Sequence, residues 1–238
     1  MQDFEKRVVM ITGAAGSLGS TAAASFQQRK AHLVLVDHAE NRLERKFSEL
    51  VDNPAHILAG GIDLAVEEEV QSMVQKVLDQ FQKVDVLLNI AGMYRGGTPV
   101  IETELEFWQQ LMAVNAQTVL LTSRAVAPAM IQQCYGKIIN VGARPALKAG
   151  AGNAAYAASK SAVLRLTESL SSELKTHGIN VNAIIPGTID TRANREMMPK
   201  ADHDTWVNPE AIAEVLLFLA SDAARAVHGA ALPVLGLT

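Results

Sequence analysis

Thr12-Gly13-Ala14-Ala15-Gly16-Ser17-Leu18-Gly19 joins an apolar run, residues 7–12, to an amphipathic segment. Glycines at such a junction allow a tight turn and let the backbone approach a pyrophosphate closely. A helix opening there offers unpaired N–H groups and a positive dipole end to the anion. The next apolar run, residues 32–37, ends in the acid Asp37. A carboxylate at that place accepts hydrogen bonds from an adenosine ribose and repels a 2′-phosphate, which favours NAD(H) over NADP(H). Each part has a plainer meaning: the turn as a ligand-free bend, Asp37 as an ordinary strand-terminal acid. Strand, glycine turn, helix, strand and acid in one βαβ unit favour the dinucleotide site.

The same alternation continues outward. Candidate strands are residues 56–60, 84–90, 136–141, 179–185 and 230–235. Most are near-continuously apolar, as parallel strands covered on both faces are. Between them lie helical patterns; Val66, Val70, Met73, Val74, Val77, Leu78 and Phe81 share one face at helical spacing. Thr103 and Glu106 read as a capping box. Asn208-Pro209 reads as an N-cap with proline in the first helical position. Residues 187–207 read as one long irregular stretch, a functional or mobile segment. The expectation is an α/β fold: a single Rossmann-type doubly wound domain over residues 1–238, with a seven-stranded parallel sheet and helices on both faces.

Composition excludes other classes. Hydrophobic residues make up 49% of the 238, enough for a sizeable core. The net charge of -4 and the lack of a basic cluster argue against nucleic acid as a partner. The longest apolar stretch, 211–220, contains Glu214 and is too short to span a bilayer, so no membrane partner is expected. The polar start at residues 1–7 reads as no signal peptide. Cys134 is the one cysteine, which excludes an intrachain disulfide and fits a reducing, cytoplasmic setting. The six histidines are scattered without ligand-like pairing, so no metal is expected.

Tyr156-Ala157-Ala158-Ser159-Lys160 places a phenol and an ammonium one helical turn apart on one face. A free tyrosine titrates near 10, and a neighbouring cation lowers that value toward neutral pH. Tyr156 would then pass a proton to a carbonyl oxygen, or take one from an alcohol, as hydride moves to or from a cofactor. The spacing alone is common by chance and by itself reads as structural; its place after the fifth strand, in the company of the other motifs, gives it weight.

These motifs together resemble the short-chain dehydrogenase/reductase family, over essentially the whole chain. The family's nucleotide motif is Thr-Gly-x-x-x-Gly-x-Gly. Thr12, Gly13 and Gly19 match it, while Ser17 stands at the central glycine and Gly16 lies one residue early. The resemblance implies cofactor contacts from Gly13, Gly16, Ser17, Leu18, Gly19 and Asp37. It implies Asp63 and Leu64 beside the adenine, then Asn89, Ala91 and Gly92 after the fourth strand. Pro186, Gly187, Thr188, Ile189 and Thr191 would lie along the nicotinamide, with Thr188 and Ile189 at its carboxamide. It gives Lys160 the nicotinamide ribose and Asn115 a supporting place in a water-linked proton path through the lysine. The plainer meaning of Asn115 is a helix-interior polar residue bonding its own backbone. The family's helices after Thr103 and from Tyr156 onward pair between subunits, which implies a homodimer or homotetramer.

One position departs. The family's serine before the tyrosine is Ala143 here, so a donor to the substrate oxygen is missing. One such donor is worth about 2.7–4 kcal/mol of transition-state stabilisation. Dihydropteridine reductases share that departure, and Gly142-Ala143-Arg144-Pro145, Met93-Tyr94-Arg95-Gly96-Gly97 and Ile189-Asp190-Thr191 resemble their segments. Three readings stay open: a reductase of a small carbonyl, imine or quinonoid substrate; a reductase of 3-oxoacyl thioesters or other carbonyls; and a dinucleotide sensor that lost turnover. The candidate substrate contacts are Ala143, Arg144 for an anionic group, and Tyr94 and Trp206 flanking a flat ring. The plainer alternatives are a solvated arginine, a loop aromatic and a helix-entry staple.

Overall fold

The computed structural model describes residues 4–237, so the polar start is covered only from Phe4 onward. Seven strands form one sheet: β1 (Val8–Thr12), β2 (His32–Val36), β3 (His56–Ala59), β4 (Val86–Asn89), β5 (Gly136–Val141), β6 (Ile179–Pro186) and β7 (Ala231–Val234). Their order across the sheet is β3-β2-β1-β4-β5-β6-β7, and every pair is parallel. The expected strands agree with these to within a residue or two. The order reverses between β1 and β4, and in open α/β sheets ligands bind in the crevice beyond the strand ends at such a reversal.

The helices are α1 (Ser17–Gln27), α2 (Arg42–Lys46), α3 (Glu67–Phe81), α4 (Leu105–Met112), α5 (Thr118–Gln132), α6 (Ala154–Leu174), α7 (Arg192–Met197) and α8 (Pro209–Ala220). They cover both faces because the strands point alternate side chains to opposite sides. Val9, Ile11, Leu33, Leu35 and Leu88 meet Phe26 of α1 and Leu216 of α8 on one face. Val8, Met10, Val34 and Leu87 meet Met73 and Val77 of α3 and Met130 of α5 on the other. Burying each such side chain contributes about 1.5–3 kcal/mol.

Asn208 caps α8 as expected: its Oδ1 accepts from the Glu210 N–H at 3.2 Å, and Pro209 is the first helical residue. Thr103 does not cap α4. Its hydroxyl donates to the Pro99 carbonyl at 3.0 Å, closing the single 3-10 turn Val100–Glu102, and Glu104 takes the cap position without a side-chain bond. Residues 187–207 are also more ordered than expected. They hold α7, a 3-10 turn at His203–Thr205 and a parallel bridge between Ile189 and Val207. Thr191 supplies the local order, accepting from the Asn194 N–H at 3.2 Å to cap α7. Among the described residues, no helix is long and apolar enough to cross a membrane.

Candidate active site

Thr12 ties the site together at the reversal of strand order. Its hydroxyl accepts from the Ile90 and Ala91 N–H groups, both at 3.1 Å, and so joins the ends of β1 and β4. Gly13 follows at φ +65, a conformation that L side chains rarely adopt. Gly16 is the N-cap of α1, with no side chain folded over the helix end and no acid in the first turn. A Cβ at Gly19 would collide with the Gly13 carbonyl, so the turn and the helix meet at closest approach there. Ser17, at the family's central glycine, is exposed, and Leu18 is buried in the core.

Asp37 is buried just beyond β2. One carboxylate oxygen accepts from the Ala15 N–H at 3.0 Å and the other from the Ala39 N–H at 3.2 Å. The Arg42 guanidinium stands 4.0 Å from the latter. The acid therefore braces the glycine turn as well as marking the strand end. Asp63 turns the chain into α3, its carboxylate accepting from the Ala65 N–H at 2.9 Å, with Leu64 buried beside it. A glycine cradle that a Cβ would fill, an uncapped helix N-terminus and a buried acid at the next strand end fit a dinucleotide.

The Asn89 side chain is turned inward. It is buried, and its amide donates to Asn140 at 2.9 Å and Ser123 at 3.3 Å while accepting from Thr122 at 2.8 Å. Its polar atoms are spent inside, holding β4 to β5 and α5. Ala91 and Gly92 come next and do face the site. A Cβ built on Gly92 would lie 2.9 Å from Asn115 Oδ1 and 3.1 Å from Lys160 Nζ, so three separate segments converge there.

Asn115 sits in a π-helical turn, Ala113–Gln117, between α4 and α5. Such turns recur at functional sites because they re-aim a helix locally. Its side chain accepts from the Met93 N–H at 2.8 Å and donates to the Met93 carbonyl and to Ser159 Oγ, both at 3.0 Å. Ser159 in turn donates to the Tyr156 carbonyl at 2.8 Å. Asn115 therefore bonds across to the loop after β4 and to α6, not to its own helix. Lys160 is buried, and Nζ donates to the Val141 carbonyl at 2.8 Å. Burial lowers its pKa to about 8.

Tyr156 differs from the expectation. Burial, and then the neighbouring Tyr94 phenol, push it up to about 12. The lowering expected from Lys160 does not prevail, because desolvation dominates and the ammonium is turned onto the Val141 carbonyl. Tyr94 packs edge-on against Tyr156, ring centres 4.9 Å apart, and its hydroxyl donates to Asn153 Oδ1 at 3.2 Å. Ala143 is buried just past β5 and offers no hydroxyl, and Arg144 is exposed. Trp206 packs at a tilt against His203, ring centres 4.4 Å apart, while the aromatic in contact with Tyr156 is Tyr94.

Pro186 ends β6, and the Gly187 N–H donates to the Val234 carbonyl at 3.0 Å. The Thr188 carbonyl accepts from the Val207 N–H at 2.9 Å, Ile189 packs against the core, and the Thr191 hydroxyl is occupied by its cap. Sequence reasoning named Thr12 in the glycine motif without a role of its own, and missed Ser159 and Asn153 as residues of the site. Their signal was position: the last residue of β1, the residue before the lysine, and the residue one turn ahead of the tyrosine.

Residues 7–202 match the short chain dehydrogenase family. The chain belongs to that family. It is 31% identical over 235 residues to the 3-oxoacyl-(acyl-carrier-protein) reductase FabG of Thermotoga maritima, covering 95% of each chain. It is 31% identical to the meso-2,3-butanediol dehydrogenase of Serratia marcescens, covering 98% of this chain and 94% of that one. The solved structure of levodione reductase superposes with a TM-score of 0.88 at 26% identity, over 97% of this chain and 96% of the other. The dihydropteridine reductase branch is not among these names. Membership of the family makes the protein an oxidoreductase with a nicotinamide-type cofactor site on a Rossmann fold.

Proposed function

We propose that this short chain dehydrogenase uses NAD(H) and moves hydride to or from a small carbonyl, imine or quinonoid substrate, with Tyr156 as the acid/base. The observation that carries this is the convergence of Lys160, Asn115 and Gly92 beside the glycine turn, at the reversal of strand order, with Tyr156 one turn from Lys160 on α6. When bound, the nicotinamide supplies or accepts the hydride. Gly13, Gly16 and Gly19 let the backbone approach the pyrophosphate, and Asp37 takes the ribose hydroxyls. At neutral pH the Tyr156 phenol holds its proton, the state needed to protonate a substrate oxygen during reduction. Lys160 stands one turn behind it to hold the nicotinamide ribose and to carry charge near the phenol. Asn115, through Ser159 and Met93, keeps α6 and the loop after β4 in register.

A second reading takes a 3-oxoacyl thioester or another ketone as substrate, and the Thermotoga maritima relative's name favours it. Titration with NADH and NADPH, followed by turnover of quinonoid dihydropterin, acetoacetyl-CoA and 2,3-butanedione, separates the two. Tighter binding of NADPH than NADH overturns the cofactor assignment. A sensor without turnover would reduce none of these.

The same reading places the protein in the cytoplasm as a homodimer or homotetramer working on a small molecule, without nucleic acid or membrane. Exposed Ile101 in the turn before α4, and Leu105 and Trp108 on α4, support self-association, since burying them removes apolar area from water.

A further inference from the structure

Asn153 occupies the N-cap of α6, but its side chain makes no cap bond. It lies one turn ahead of Tyr156, and residues three apart on a helix share a face. Its Oδ1 is taken by the Tyr94 hydroxyl at 3.2 Å, and the Tyr94 ring rests edge-on against Tyr156. The backbone reinforces this clasp: the Gly97 N–H donates to the Gly152 carbonyl at 2.8 Å, drawing the loop after β4 onto the entry of α6. With the carbonyl oxygen so fixed, the amide orientation is set, and both Nδ2 hydrogens remain as donors. Tyr94 is 52% exposed, so the clasp itself lies at the surface, within reach of an incoming substrate. On the side of β5, Ala143 presents only a methyl group.

We propose that the Asn153 side-chain amide, oriented by Tyr94, is the second hydrogen-bond donor to the substrate's carbonyl oxygen, replacing the hydroxyl absent at Ala143. The inference rests on the proposed reduction with Tyr156 as proton donor. Two donors then meet the oxygen, the Tyr156 phenol and the Asn153 amide, and a simple ketone no longer lacks its polarising partner. Because the Tyr94 hydroxyl acts through Asn153, Tyr94 is a positioning residue.

The test uses the full chain with NADH and NADPH and two probes, 2,3-butanedione and acetoacetyl-CoA, in wild type, Asn153→Ala, Asn153→Asp, Tyr94→Phe, Asn153→Ala/Ala143→Ser and Tyr156→Phe. Asn153→Asp keeps the acceptor for Tyr94 and so preserves the clasp, but an ionised carboxylate donates nothing. The expected result is a loss of about 100-fold or more in kcat for both Asn153 variants, the cost of one such donor, with unchanged cofactor affinity and melting temperature. Tyr94→Phe loses less, and Ala143→Ser restores at least about tenfold to Asn153→Ala, since it returns a donor to the same oxygen. Full activity in Asn153→Asp reduces Asn153 to a clasp and overturns the proposal. So does activity in both Asn153 variants near wild type while Tyr156→Phe is inactive, an outcome that leaves the proton-donor reading standing. A wild type that reduces neither probe with either cofactor, or an unimpaired Tyr156→Phe, overturns the underlying reading and this inference together.

Discussion

Asp37 divides its carboxylate between the Ala15 and Ala39 N–H groups, with the Arg42 guanidinium 4.0 Å away. Removing the acid therefore does two things. On the proposed NAD(H) reading it deletes a ribose acceptor, and it frees a cation that can meet a 2′-phosphate. Asp37→Ala is expected to weaken NADH binding at least tenfold, about 1.4 kcal/mol, while NADPH binding improves relative to it. Fluorescence titration of both nucleotides checks this, and an unchanged NADH/NADPH ratio contradicts it. Lys160 supports a second prediction. An unfolded lysine keeps its proton to about 10.5, whereas the buried one gives it up near 8. The folded state thus carries a buried charge below pH 8 and is relieved of it as pH rises toward 10. Lys160→Met never carries that charge. Its gain in melting temperature over wild type should be largest near pH 7 and shrink by pH 10; a gap that stays level contradicts the assignment. Tyr156 supports a third. Held up near 12, it already carries its proton at neutral pH, so reduction starts from the protonated phenol, whereas alcohol oxidation needs phenolate and should accelerate from pH 7 to 10. An oxidation rate that falls over that range contradicts it.

At the scale of elements, the glycine turn and α1 were legible because backbone geometry demands particular residues there. A Cβ at Gly19 meets backbone, not a yielding side chain. Gly19→Ala should cost about 1–3 kcal/mol of stability, as overpacking does, and lower the affinity for NADH; a melting temperature and NADH affinity equal to wild type contradict the turn's role. Strands were legible because parallel strands buried on both faces are apolar throughout, as β5 and β6 are at most positions. Thr103 misled because a Thr–x–x–Glu spacing also fits a threonine that closes the turn before a helix, and only the Pro99 carbonyl decided between them. Residues 187–207 looked structureless since α7 is too short to show a hydrophobic period. The Asn89 and Asn153 side chains were hard to read for a related reason. Local sequence says that an asparagine follows a strand or opens a helix, but not whether its amide is spent inside, as with Asn140 and Thr122, or left with a free donor.

Across the whole molecule, the reversal between β1 and β4 brings residues distant in the chain, Gly13, Gly92, Asn115 and Lys160, to one edge of one sheet. The chemistry therefore depends on the entire α/β layer arrangement rather than on any one motif. The exposed apolar residues of α4 extend the argument to assembly. Light scattering should give a mass at a multiple of the 25.5 kDa chain, reduced toward one chain by Leu105→Glu, and a wild-type monomer at micromolar concentration contradicts it. The central claim is that Tyr156 carries the proton, and its most direct test is Tyr156→Phe with NADH and a carbonyl probe. The substitution removes one oxygen and leaves the ring packed against Tyr94. The account predicts that kcat/KM falls by about 100-fold or more while NADH affinity and melting temperature hold. A Tyr156→Phe enzyme within a few-fold of wild type would contradict it.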